Sequence, residues 1–188
     1  MELRCCGDVK DPNMITASKR LVLRYYWPED IAPIFKSYTG DLGSTKYLAR
    51  HPHTEIEQTE KMFQNLSVPE SMALTGKCIW VVDAIREGGA IGLITVVKSK
   101  DSMVVHFGIG RPYRGCGYAA EALVLTAQHL LAEDHAIRVN TFTDVENVAA
   151  QMALAKAGFR FTTRTKKFYQ APQLNGEYRD VFHYEFRG

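Results

Sequence analysis

A single α/β domain built on a mixed, mostly antiparallel seven-stranded sheet is the fold that this sequence predicts. Three observations lead there. Seven short stretches read as strands, several by alternating apolar and polar residues and two, 78–85 and 90–97, as apolar runs about a Gly-Gly turn. One of them, in residues 103–118 (MVVHFGIGRPYRGCGY), runs through a glycine turn directly into a helical pattern. That helix leads to another strand, and a helical connection makes the two strands it joins parallel.

The elements follow in order. Residues 1–17 carry no sustained periodicity and read as an irregular arm; the domain proper runs over 18–188. Leu21 and Leu23 alternate in a first strand. Pro28, Glu29 and Asp30 suit a helix start, since proline fits the first turn and acids the positive end of the dipole. Ile31, Ile34, Phe35 and Tyr38 form its apolar stripe, and Gly40 and Gly43 bracket a break. A second helix is expected over 54–66, capped by Thr54 with Glu57 as capping-box partner. Residues 78–85 and 90–97 are strands joined by a turn at Gly88-Gly89. Gly92 marks a bulge or a close approach. After the 103–109 strand, Ala119, Ala122, Leu123, Thr126, Ala127 and Leu130 repeat at helical steps. A fifth strand begins at Ala136. Asn147 to Gly158 is a capped helix, Phe159 and Phe161 open a sixth strand, and Asn175-Gly176 turns into a last one over 177–186.

Composition narrows the function classes. Hydrophobic residues make up 46% of 188, enough for a sizeable core. Twenty-three basic and 21 acidic residues leave a net charge of +2, too balanced for a nucleic-acid surface. No apolar run approaches the roughly 20 residues of a membrane helix. The N-terminus lacks the apolar core of a secretory signal. Cys5, Cys6, Cys78 and Cys116 show no metal or disulfide spacing, which suggests reduced thiols in a cytoplasm, with Cys5-Cys6 in a mobile tail. His51 and His53 fit a solvated loop better than a metal site, so no metal is expected. A monomer or homodimer is expected.

The glycine turn is built for an anion. The first N–H groups of a helix lack internal partners, the dipole adds positive charge there, and glycine lets a guest approach the backbone. Arg111 and Arg114 add formal charge. The turn is neither a Walker loop nor a dinucleotide fingerprint, for want of Gly-Lys-Ser/Thr and of a third glycine. Arg114-Gly115-Cys116-Gly117-Tyr118-Ala119 resembles the acetyl-CoA pyrophosphate loop of the GNAT N-acetyltransferase superfamily, Gln/Arg-x-x-Gly-x-Gly/Ala.

Three further stretches resemble the RimJ/RimL-like branch of that superfamily. Residues 18–24 (SKRLVLR) match its opening, with serine where threonine is usual. Residues 143–159, from Thr143 through Asn147 to Gly158-Phe159, match its second block, and Asn175, Gly176, Asp180 and Tyr184 its C-terminal stretch. The resemblance implies helices on both faces of the sheet and a parted pair of parallel strands that admits the pantetheine arm. It implies that the backbone from Phe107 to Arg111, with Ile109, Gly110 and Arg111, holds that arm, one N–H polarising the thioester. The diphosphate would rest on Arg114, Gly115, Cys116, Gly117, Tyr118 and Ala119, with Arg111 or Lys156 a further phosphate contact. Asn147 would reach the arm; asparagine is also simply a good helix cap.

The departures concern catalysis. Relatives place a serine three residues after that asparagine, or a tyrosine seven after, to reprotonate the leaving thiolate; here Ala150 and Leu154 stand there. His106 shares a strand face with Val104, where relatives carry a glutamate, and is a candidate general base as well as an ordinary strand histidine. Tyr113, Cys116 and Tyr169 are weaker acid candidates. The implied reaction is acetyl transfer from acetyl-CoA to a primary amine by direct attack in a ternary complex. The acceptor is a protein N-terminal α-amine or a small amine such as a polyamine, amino acid or aminoglycoside. A catalytically inert acyl-CoA-binding module is the reading from another class.

Overall fold

The computed structural model describes residues 13–132 and 138–188. Cys5, Cys6, the turn expected at 133–135 and the expected strand start at Ala136 lie outside them. The strands are β1 (Met14–Ala17), β2 (Leu21–Arg24), β3 (Lys77–Ala84), β4 (Gly89–Lys98), β5 (Met103–Ile109), β6 (Val139–Asp144), β7 (Phe159–Gln170) and β8 (Tyr178–Phe186). Among the described residues they form one sheet in the order β1-β2-β3-β4-β5-β6-β8-β7. Every pair is antiparallel except β5 and β6.

The sheet thus has eight strands where seven were expected. The addition is β1, within the stretch expected to be irregular. It is four residues long, lies at the sheet edge, and slips register between Met14 and Thr16, so it leaves no alternation to read. β7 is also longer than its two phenylalanines suggested. It runs twelve residues to Gln170 as an exposed edge strand, broken by register shifts at Phe161/Thr163 and Thr165/Tyr169. Asn175 and Gly176 both take positive φ, and their turn feeds β8 as expected.

Helices cover both faces. On one, α5 (Tyr118–Ala132) and α6 (Val148–Lys156) pack Ala122, Leu123, Ala127, Leu130 and Leu154 on Leu21, Leu23, Trp80, Ile94 and Val105. On the other, a 3₁₀ turn (Pro28–Asp30), α1 (Ile31–Ile34) and a π-helical turn (Phe35–Thr39) run together and join α3 (Ile56–Leu66). There Ile34, Tyr38 and Phe63 meet Ile79, Val81, Ala90 and Leu93. Two short helices, α2 (Leu42–Thr45) and α4 (Ser71–Thr75), follow the π-helical turn and α3 in the chain, and Met72 of α4 packs on the α5-side core. The cap of α3 falls one residue later than expected. The Gln58 side-chain oxygen, not Glu57, accepts from the N–H groups of Thr54 and Glu55, at 2.7 and 3.2 Å. Residues at 55 and 58 fit the box because Glu55, with extended backbone, is the true cap.

Gly92 proves to be both a bulge and a close approach. Val82 faces Gly92 and Asp83 faces Ala90, so Ile91 is the extra residue. A side chain on Gly92 would collide with the carbonyl oxygen of Gly108.

One ion cluster ties β2, the first helical turn and β3 together. Arg24, 2% exposed, donates to Asp30 at 2.6 and 2.9 Å and to Asp83 at 2.6 and 3.0 Å. Asp30 also accepts from the Trp27 N–H at 2.7 Å. Without Asp30 the buried Arg24 keeps only Asp83, so Asp30→Ala is expected to cost about 3 kcal/mol in urea unfolding. A loss below about 1 kcal/mol would show that water reaches and compensates Arg24.

Candidate active site

The site begins where β5 and β6 stop pairing. They share only two rungs, Met103 with Val139 and Val104 with Asn140. Beyond that fork β5 runs on to Ile109 and β6 to Asp144, and among the described residues no backbone hydrogen bond joins them. β4 holds β5 through Ile109, and β8 holds β6 through Asp144, so each jaw is fixed on its outer side only. The facing edges keep backbone N–H and C=O groups available, as an extended guest requires.

At the wide end of the gap lies the glycine turn. Gly115 and Gly117 have φ of +83° and +81°, a region open to glycine at little cost. A side chain at Gly115 would meet nothing within 4 Å, so the turn faces open space. The first intrahelical bond of α5 runs from Glu121 N–H to Gly117 at 3.2 Å, which leaves the N–H groups of Tyr118, Ala119 and Ala120 at the helix mouth.

The sequence-derived residues take distinct places around this turn. The Arg114 guanidinium donates to the Ile109 carbonyl at 3.0 Å and to Ser44 Oγ at 2.9 Å, propping the turn from behind. Arg111 reaches Asp41 at 2.8 Å, across from the turn rather than into it. Gly110 N–H bonds the Ile91 carbonyl at 2.8 Å. Cys116 is an exposed free thiol. The Tyr118 side chain is buried and donates to Glu87 at 2.9 Å, so only its backbone faces the mouth. Asn147 caps α6 by accepting from Ala150 N–H at 3.2 Å. Lys156 closes the last turn of α6.

Three features escaped sequence reasoning. Arg20 lies over the turn, donating to the Cys116 carbonyl at 3.2 Å and gripping Glu121, which also accepts from Ser18 Oγ at 2.5 Å. This cation offsets an acid in the first turn of α5 that would otherwise repel an anion. The separation in sequence gives no local sign of the pair. Asp144, at the tip of β6, has no exposed side-chain surface and accepts from Tyr169 at 2.8 Å, from Arg179 at 2.9 and 3.0 Å and from Glu146 N–H at 2.8 Å. Burial works to raise its pKa, but these bonds outweigh it and hold the carboxyl below the ordinary range.

The third feature is Tyr38. The chain's only legible hint was Gly108-Ile109-Gly110. A side chain at Gly108 would fall inside the Tyr38 ring, and one at Gly110 would sit 2.8 Å from Ser37 Oγ. The π-helical turn sets this contact: Gly40 N–H reaches back five residues to the Phe35 carbonyl at 2.9 Å, swinging Ser37 and Tyr38 onto β5. Such turns often mark functional positions.

The same sheet face carries an aromatic bed. His106 meets Phe142 edge-on at 4.9 Å, Phe142 meets Phe168 at 4.9 Å, and His183 packs on Phe168 at 5.1 Å. Thr165 and His183 share a 3.0 Å hydrogen bond. Burial, with Lys77 nearby, lowers the His106 pKa to about 4, so the ring is neutral at physiological pH. Burial and the Asp144 bond push Tyr169 above the usual phenol range, and its proton is engaged on that carboxylate. Among the described residues no group of His, Cys, Asp and Glu could hold a metal ion. No helix among them is long and apolar enough to cross a membrane.

A family model described as an acetyltransferase (GNAT) domain matches residues 20–160, and the chain belongs to that family. Its fold is shared by solved structures. An acetyltransferase of the GNAT family from Bacillus anthracis superposes with a TM-score of 0.78 at 22% identity, over 90% of this chain and 96% of that one. RimL, the ribosomal L7/L12 α-N-protein acetyltransferase solved with coenzyme A, gives 0.77 at 16%, over 92% and 96%. Spermidine N-acetyltransferase from Vibrio cholerae, solved with CoA and spermine, gives 0.73 at 17%, over 90% and 96%. At these identities the likeness is one of fold. No curated protein matches by sequence.

The seat of Tyr38 on β5 has a measurable cost. Gly108→Ala must push the ring aside and is expected to lose about 1–3 kcal/mol of unfolding free energy. An unchanged midpoint in denaturant would mean that the π-helical turn moves freely.

Proposed function

We propose that this protein transfers an acetyl group from acetyl-CoA to the α-amine of a peptide or protein N-terminus. The observation that carries the reading is the gap between β5 and β6, opening from its fork toward the bare N–H groups at the start of α5. The residues present fit the co-substrate: left-handed Gly115 under open space and Gly117 beneath the Arg20 guanidinium for a diphosphate, and unpaired strand edges for an amide-bearing arm. When bound, acetyl-CoA supplies an activated acyl group as a thioester.

The chain's own residues do the rest. The N–H groups of residues 115–119 bind the diphosphate, and Arg20 and Arg114 fix the turn that presents them. The β5 backbone over 107–111 aligns the arm, and one of its N–H groups polarises the reacting carbonyl. Asn147 faces the arm from the opposite jaw while capping α6. His106 accepts the proton that the amine sheds, directly or through water. Aligning amine and carbonyl lowers the barrier by several kcal/mol whatever the proton route.

The surroundings favour a single amine on a neutral chain. The amine approaches over His106, Phe142 and Phe168, and the carboxylates nearby are engaged: Asp144 by Arg179, Asp41 by Arg111, Asp180 by Arg164. A polycation finds little to grip there. CoA release measured against peptides, polyamines, amino acids and aminoglycosides tests this. Saturable turnover is expected with peptides bearing a free N-terminus. A preference for polyamines would reassign the acceptor, and tight acetyl-CoA binding without turnover would make the protein an acyl-CoA-binding module.

The His106 role has its own signature. A group with a pKa near 4 stays neutral over the working range, so protonation should remove activity only toward pH 4. From pH 9 to 5, log kcat/KM is expected to fall with slope one below the α-amine pKa near 8. A second break near 6.5 would show an ordinary, exposed imidazole. His106→Gln is expected to lower kcat about 100-fold; full activity in that variant would remove His106 from the mechanism.

A further inference from the structure

We propose that Tyr38 is the proton donor to the departing sulfur, supplying the acid that Ala150 and Leu154 cannot. This rests on the acetyl-transfer reading above. The Tyr38 side chain enters from the π-helical turn, on an element that none of the matched motifs includes. Its ring edge and hydroxyl lie against the Cα of Gly108, on the stretch of β5 that has parted from β6. The residue is only 7% exposed, so its ring and hydroxyl are held against β5.

The placement relative to His106 supports the assignment. Gly108 and His106 are two residues apart on one strand face, about 7 Å at the usual rise. One face of β5 therefore presents a proton acceptor and, one step along, a proton donor. Burial raises the Tyr38 pKa while the charges of Arg50 and Arg114 oppose it, so the hydroxyl keeps its proton at neutral pH. The other acid candidates fit less well: Tyr169 is committed to Asp144, and Cys116 lies out on the diphosphate turn.

The step balances. The amine nitrogen bonds the acyl carbon and sheds one proton toward His106 or water. The C–S bond breaks, its electron pair stays on sulfur, and the Tyr38 proton moves to that sulfur. Tyr38 regains a proton through solvent from the one the amine released. The products are the amide and the CoA thiol, with nothing oxidised or reduced.

Tyr38→Phe keeps the ring that packs on Gly108 and removes only the hydroxyl. In the whole chain, kcat for the best amine of the panel is expected to fall about 10- to 100-fold. The KM for acetyl-CoA and the thermal midpoint are expected to hold. Calorimetry supplies a readout apart from turnover: CoA should bind the variant several-fold more weakly than the wild type, while desulfo-CoA should bind both equally. A purely structural role would weaken both ligands together and overturns the proposal. So does a kcat within twofold of the wild type. A wild-type protein that turns over no amine, yet binds CoA with no advantage over desulfo-CoA, removes the transfer reading and Tyr38 with it; an active wild type with an indifferent variant removes Tyr38 alone.

Discussion

Everything at this site depends on two rungs of hydrogen bonding, Met103 with Val139 and Val104 with Asn140, and on their ending there. A parallel pair normally runs on until a strand ends. Here both strands continue, each held on its far side, and the space between them stays open. The sheet can sustain this because the outer ladders are long. β4 pairs β5 over its whole length, and β8 does the same for β6 through Asp144. Asp144 then locks the β6 tip to Tyr169 and Arg179. The opening is thus a rigid feature of the fold, at the cost of two edges without strand partners in the middle of the sheet.

The two faces of the sheet divide the work. On the α5 side the packing is continuous, and its one exposed product is the mouth of α5 with its left-handed glycines. On the other side a short, irregular run of 3₁₀, α and π turns brings Ser37 and Tyr38 down onto Gly108 and Gly110. A regular helix would have presented those side chains in a different phase. The π turn and the two glycines are therefore one device seen from two elements, and neither makes physical sense without the other.

Much of this was legible in the sequence, for identifiable reasons. The strand–glycine–helix passage is local: alternation, then left-handed turn residues, then a 3.6-residue repeat. The Asn147 cap and the Asn175-Gly176 turn are local as well. What stayed hidden is what depends on distance along the chain. β1 is too short and too irregular for a period. The Arg20–Glu121 pair, the Asp144 cluster and the seat of Tyr38 each join residues far apart in sequence, and no spacing announces them. The cap of α3 slipped by one residue because residue preference favours Thr54, whereas backbone geometry makes Glu55 the cap. The glycine turn was readable as open backbone at a helix start, but the sequence could not say that Arg111 would spend its charge on Asp41.

The outer border of the sheet carries a consequence of a different kind. β7 is a long, exposed strand with an open hydrogen-bonding edge, the usual nucleus for chain-to-chain stacking. Its register slips twice, Lys167 takes a φ of +50°, and Asp180 pulls that residue's N–H out of line at 2.9 Å. With Arg160, Arg164, Lys166 and Lys167 crowding the same strand, a second copy meets a bent and positively charged rim. The fold thereby guards its longest unprotected strand against fibril growth by kinks and like charge.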